Sequence, residues 1–405
     1  MRDRTELLGA VVAQARKNGT GGTRCALLLL CALGMALPGC KSTPSLATKP
    51  EAAVQRLAEH GYRADAHYDT ATYRETWLDG ETPLDVSVVE PTTHGPFPLI
   101  IYLPGLGESA AGGALWRTAW AEAGYSVLTV QPAPLGESAL RSEKARAGDF
   151  RGLAKEHFSA ASLKARIDHL SFAVLELKRR AGKGLAPYSV IDTRRVALAG
   201  FDLGAQTTAA LVGEKADGVG SPRADWSIRA AVLLSPYVDL AAPGGVSQRF
   251  AAISIPVLSV TGTEDADPFG LVSSPGLRRA PWQSMPAGDK YLLLLSSGSH
   301  RLLAGVGYTE TGAPSALEEN EAGQGGNADS PIGAAKRSRH GAENANRGGS
   351  DDARGRPFDA QQIAAVRIVT TAFLDATVRD DPVAREWLAK DAPRWLGESA
   401  HLQVR

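Results

Sequence analysis

The sequence predicts an α/β protein: a mostly parallel central sheet flanked by helices on both faces. Three observations predict it. Continuous apolar runs such as Pro98-Leu99-Ile100-Ile101-Tyr102-Leu103 suit strands buried on both faces. These runs alternate with stretches of helical period, the rhythm of strand–helix–strand units. The 405 residues are 43% apolar and 22% charged, the balance of a globular chain with a sizeable core.

The elements follow in order. Asp85-Val86-Ser87-Val88-Val89 alternates as a strand, and the run 98–103 is the first fully buried one. A helix over 114–123 leads to a second buried strand at 125–130. A long amphipathic helix is expected from about 162 to 180, then a strand at 195–199 and a helix from Gly204. Strands are expected at 228–234, 256–260 and 290–295, with no cap segment standing out between the central strands. An amphipathic helix carrying Ile363, Val366, Ile368, Val369, Phe373 and Leu374 closes the domain. Residues 311–356 break the rhythm. They hold Gly325-Gly326-Asn327 and Gly348-Gly349 and almost no large apolar side chains, so a disordered surface insertion is expected there. Its Lys336-Arg337-Ser338-Arg339 run reads as a solvated loop.

The N-terminus reads as an address rather than as fold. Arg16, Lys17 and Arg24 precede an uncharged run, 25–40, rich in leucine and too short for the ~20 apolar residues of a membrane span. That is the pattern of a secretory signal, assigned to residues 1–39. Its end, Leu37-Pro38-Gly39-Cys40, resembles the lipobox of bacterial lipoproteins, with Pro38 departing from the small residue usual there. The resemblance implies lipidation at Cys40 and attachment to the periplasmic face of the outer membrane; a plain signal would imply a secreted or periplasmic protein. Residues 40–62, with Pro44 and Pro50, read as a flexible tether, and 63–405 as the folded domain. Cys25, Cys31 and Cys40 are the only cysteines, so no disulfide is expected in the mature chain.

Charge excludes one function class. Lys plus Arg equals Asp plus Glu at 44 each, so nucleic acid is not an expected partner. Neither metal-ligand spacing nor a phosphate-cradling glycine loop stands out, so no metal and no cofactor are expected.

The stretch that could carry chemistry is Arg195-Val196-Ala197-Leu198-Ala199-Gly200-Phe201-Asp202-Leu203-Gly204-Ala205. A buried strand runs into Gly-x-Asp-x-Gly and then a helix, the layout of a turn that holds one side chain out above a sheet. Alone, such a strand–turn–helix link is common. Its company raises it: the strand at 256–260 ends near Glu264, Asp265 and Asp267, and the strand at 290–295 runs into Ser296-Ser297-Gly298-Ser299-His300. Asp265 is the best acid, Asp267 a competitor and Glu264 the weakest of the three. After the strand ending at Leu103, the loop Pro104-Gly105-Leu106-Gly107 could offer a backbone N–H to one oxygen together with the N–H of Leu203.

On these residues the chain is similar to the α/β-hydrolase fold. Within that fold it resembles the group of platelet-activating-factor acetylhydrolases and predicted dienelactone hydrolases. The likeness runs from about residue 70 and leaves out the insertion. It implies Asp265 and His300 as acid and base, Leu106 and Leu203 as oxyanion donors, and an ester of a lipid or a small lactone as substrate. Arg166 and Asp168 loosely match a helix signature of the group and read as structural. Asp202 stands where the group has serine. A carboxylate attacking an ester would form an anhydride while expelling a poorer leaving group, whereas attack on sp³ carbon leaves an ester that activated water can hydrolyse. Four readings of Asp202 therefore stand open: ester hydrolysis through water activated jointly with His300, an Asp nucleophile acting on a halide, the same acting on an epoxide, and a non-catalytic lipid-anchored binding protein.

Overall fold

The computed structural model describes residues 60–216, 227–240, 242–306 and 359–405. The expected signal, Cys40, the tether up to residue 59 and the expected insertion at 311–356 lie outside the described residues.

Apolar runs become strands: β1 (Thr70–Asp79), β2 (Thr82–Pro91), β3 (Phe97–Leu103), β4 (Ser126–Pro132), β5 (Ile191–Phe201), β6 (Ile228–Leu234), β7 (Val257–Glu264), β8 (Lys290–Ser299) and β9 (Ala400–Val404). They join in one sheet of nine in the order β1-β2-β4-β3-β5-β6-β7-β8-β9. The centre is parallel, from β4 through β3, β5, β6 and β7 to β8. Antiparallel pairing is confined to β1–β2, β2–β4 and β8–β9. This is an α/β fold with a mostly parallel sheet.

Although β3 is apolar throughout, its residues still alternate between faces. Ile100 and Tyr102 join one core with Trp116, Trp120, Val232 and Phe373, while Leu99, Ile101 and Leu103 join another with Leu170, Val174 and Leu177. The first face is covered by α1 (Ala114–Glu122) and the second by the long helix Ala160–Gly182. Burying both faces removes the polar alternation that marks a half-exposed strand, which is why these strands read as continuous apolar runs.

Five helices matter for the site. After α1 come α2 (Phe150–His157), α3 (Ala160–Gly182), α4 (Leu203–Leu211) and, near the C-terminus, α5 (Asp359–Val378). α3 starts where the Ser159 side chain accepts the Ser162 N–H, and it buries Leu163, Arg166, Leu170, Ala173, Val174 and Leu177 at helical spacing. α5 was expected to be amphipathic, yet nearly all of its residues are buried. It packs against strands and α1, and its Thr370 and Asp375 are satisfied by Trp120 Nε1 at 2.9 Å and the Tyr125 hydroxyl at 2.7 Å. Tyr62, at the outer limit of the expected tether, is already packed into the domain: its hydroxyl donates to Asp375 at 2.8 Å.

Several elements have no clear signal in the sequence. β1 is largely exposed and polar, so it lacks an apolar signature; its signal is the Asp79-Gly80 turn into β2, with Gly80 at φ 59. β9 is a five-residue edge strand. Between β4 and α3 the chain forms short helical turns and α2, which pack Leu135, Ala139, Ala154 and Phe158 against Leu106 and Leu203. This segment is too short and too mixed in period to stand out by sequence.

Candidate active site

The turn after β5 is built by close backbone approach. A Cβ on Gly204 would lie 1.9 Å from the Leu103 carbonyl oxygen, and one on Gly200 would lie 2.3 Å from that of Gly204. Only glycine fits at either place, which is what lets α4 start hard against β3 and β5. Asp202, between them, is held at φ 50 and ψ −108, a conformation that costs a non-glycine residue on the order of 1–3 kcal/mol. Its N–H is tied to the Leu234 carbonyl at 3.1 Å, and the residue is 3% exposed. Desolvation pushes the Asp202 carboxyl up, and Asp267 adds to this; His300, Arg278 and the Leu203 N–H pull the other way without cancelling it. The expected oxyanion donor Leu203 begins α4 directly beside this carboxyl.

Asp265 and His300 are brought together by the ends of β7 and β8. The His300 Nδ1 lies 2.8 Å from Asp265 Oδ1, so we assign the Nδ1 proton to that bond. Nε2 is then the nitrogen left for water or a substrate. Asp265 is fully buried and also accepts the Ser235 hydroxyl at 2.8 Å and the Thr261 hydroxyl at 2.7 Å. Arg278, equally buried, lies 3.3 Å from the same carboxylate and donates to the backbone oxygens of Asp265 and Ser235 at 3.0 and 3.1 Å. Burial pushes the Asp265 carboxyl up, but Arg278 and the bonds from His300 and Thr261 outweigh it and hold Asp265 below its ordinary value. It therefore stays charged and fixes the imidazole. The Phe201 ring packs on His300 with centroids 4.8 Å apart.

The loop after β3 supplies the third part. Its Gly105 sits so close to the turn that an added Cβ would lie 2.8 Å from the Phe201 ring and 3.4 Å from Asp202 Cβ. Gln131 Nε2 clamps the loop by donating to the Gly105 and Glu108 carbonyls, each at 2.9 Å. The Gly107 N–H donates to Leu135 at 2.9 Å and the Gly105 N–H to Glu108 Oε2 at 2.7 Å, whereas the Leu106 N–H takes no acceptor among the described residues.

The alternatives for the acid separate cleanly. Asp267 accepts the N–H groups of Phe269, Leu271 and Val272, so it shapes its own loop, while Glu264 is exposed on β7; only Asp265 holds His300. Arg166 braces α3 on α4, donating to Thr207 and Gln206, and Asp168 pairs with Lys164 in solvent, so neither enters the site. Sequence reading missed Ser235, Arg278 and Glu108. Ser235 lies directly after β6 at φ 51, a strand-end position that could have been searched; Arg278 has no local signal, since its partners are 13 and 43 residues away. Among the described residues no group of three or more His, Cys, Asp or Glu is placed to hold a metal.

What these parts define is an α/β protein with a strained carboxylate turn, a buried Asp–His pair and a free loop N–H at the C-terminal ends of its parallel strands. No protein-family model matches the sequence, and no curated protein matches it significantly.

Proposed function

We propose that this chain is a hydrolase of the α/β-hydrolase fold, exported to the bacterial cell envelope, with Asp202 as nucleophile and His300 as the base that activates water. The observation that carries this reading is the 2.8 Å bond between His300 Nδ1 and a buried, charged Asp265, assembled within electrostatic reach of the Asp202 turn. Strand–turn–helix geometry at Asp202, the acid after β7 and the histidine after β8 follow the chain order of that fold.

The chemistry that suits a carboxylate is displacement at sp³ carbon. An Asp202 oxygen attacks a carbon bearing a halide or an epoxide oxygen, the carbon–leaving-group bond breaks, and an alkyl ester of Asp202 forms. His300 Nε2 then takes a proton from water, which adds to the Asp202 carboxyl carbon. The resulting oxyanion is met by the Leu203 and Leu106 N–H groups, each such donor typically contributing ~3 kcal/mol. On collapse the alkoxide takes the proton held by His300 and leaves as the alcohol, and the carboxyl proton left on Asp202 passes to water, which restores the carboxylate. The buried Asp202 carboxylate supports this over acyl transfer, because its charge would oppose a substrate oxyanion developing beside it.

A second reading, hydrolysis of a lipid ester or small lactone by water that His300 activates directly, is favoured by the unpaired Leu106 N–H and by the family resemblance. Both readings are tested on 1-bromobutane, styrene oxide and p-nitrophenyl acetate with wild type, Asp202→Ala, Asp202→Ser and His300→Gln. Displacement chemistry requires a mass adduct on the peptide bearing Asp202 in His300→Gln. Aryl ester turnover that survives Asp202→Ala, with no adduct, would hand the site to the second reading. If every variant is inert on all three, a non-catalytic, lipid-anchored binding protein becomes the better account.

A further inference from the structure

Behind the loop that carries Leu106 lies a buried carboxyl that neither reading uses. Glu108 Oε2 accepts the Gly105 N–H at 2.7 Å, while Oε1 is buried with no hydrogen-bond partner. The residue as a whole is half-buried, but its carboxyl tip is sealed. Gly105 is also the residue whose Cα would carry a Cβ 3.4 Å from Asp202 Cβ, so the Glu108 bond grips the backbone that touches the nucleophile position. Four charged or titratable groups act on Glu108: Tyr102 from β3, Arg117 from α1, Asp202 at the turn and His300 after β8.

We propose that Glu108 is a positioning residue whose grip on Gly105 is set by the charge on Asp202: weak while Asp202 is a carboxylate, strong once Asp202 is neutralised as an ester. The inference rests on the displacement reading above. Two buried negative charges on either side of Gly105 oppose each other, so while Asp202 is ionised Glu108 keeps its proton more readily. Esterification removes the Asp202 charge. Glu108 then releases its proton to water, and Oε2 becomes a charged acceptor for the Gly105 N–H, a bond roughly twice as strong as the neutral one. The loop is tightened at the step that needs the Leu106 N–H, the attack of water on the Asp202 ester. Burial, aided by Asp202 and opposed by the Gly105 N–H, His300 and Arg117, pushes Glu108 up to about 7.

The test is nuclear magnetic resonance on the full chain, so that it does not depend on turnover. The Glu108 carboxyl carbon, assigned by its loss in Glu108→Gln, and the Gly105 amide are titrated in wild type and in Asp202→Asn, with Asp202→Ser as a second neutral variant should the first not fold. The coupling requires a shared midpoint near 7 for both nuclei in wild type. It requires that midpoint to fall by at least about one unit, a tenfold change in proton affinity, when residue 202 is neutral. The Gly105 amide should be flat with pH in Glu108→Gln. A Glu108 midpoint that ignores residue 202, or a Gly105 amide that does not follow it, overturns the proposal. Absence of an adduct in His300→Gln with the coupling intact would fault the displacement reading alone.

Discussion

At the scale of single residues, Asp265 carries the most. It joins His300, Ser235, Thr261 and Arg278 in one buried cluster, so removing its charge strands Arg278 as well as freeing the imidazole. Breaking a buried pair from one side typically costs about 3–5 kcal/mol. Asp265→Asn should therefore lose hydrolytic activity and shift the urea midpoint down by that order; an unchanged midpoint would mean that Arg278 finds another counter-charge. Thr261→Val is the milder control, expected to cost about 1–3 kcal/mol by removing one bond to a carboxylate that keeps its others. Legibility differs sharply among these groups. Asp265 and His300 could be found because each follows a strand directly. Arg278 and Glu108 could not, because their roles come from depth and from partners that the chain brings from elsewhere.

Elements decide whether the site exists at all. The β5–α4 turn depends on glycine backbones in contact with β3, so Gly204→Ala forces a Cβ into the Leu103 carbonyl. The expected outcome is loss of the cooperative transition seen by circular dichroism, or a drop in its midpoint well beyond that of an exposed glycine such as Gly148, which has nothing within 4 Å. The short helices before α3 make a separate prediction. Phe158 packs on Tyr237 with ring centroids 4.4 Å apart and shares a cluster with Leu106 and Leu203. Phe158→Ala should cost about 3–5 kcal/mol in denaturant and change kcat more than KM, because it loosens the donors rather than the base. A pure stability loss with unchanged kinetics would show that the cluster only supports the fold.

For the molecule as a whole, pH dependence follows from opposing sets of carboxyls. Burial pushes Glu90, Glu108 and Glu214 up to about 7. A raised group contributes stability fully present below its unfolded value of about 4.3 and lost as pH rises through its folded value. Asp265 and Asp192 are held low, so their contribution is present above about 3.9 and lost as pH falls further. Stability measured by urea should peak near pH 4 and decline up to about pH 7; a flat profile over that range would show the three glutamates to be charged in the fold. Two further outcomes concern residues outside the described ones. Deleting 313–352, whose only large apolar side chains are Leu317 and Ile332, should leave Tm within about 2 °C. Cys40→Ser should move the protein from the membrane fraction to the soluble one, provided the leader is still cut, and fatty-acid labelling that never reaches wild type would refute the anchor.

By itself the sequence determined the fold class and the points where chemistry-bearing residues leave the sheet. Apolar runs such as 98–103 must be buried on both faces, and Gly200 and Gly204 on either side of Asp202 demand a tight turn, whatever the rest of the chain does. Those are local consequences of hydrophobicity and backbone sterics. The tertiary structure alone decided which acid serves His300, since Asp265 and Asp267 differ by two residues in sequence and by their entire set of partners in space. It alone showed the Glu108 carboxyl sealed behind Gly105. Proton affinities and hydrogen-bond partners depend on burial and on groups far apart along the chain, and no local pattern of residues encodes them.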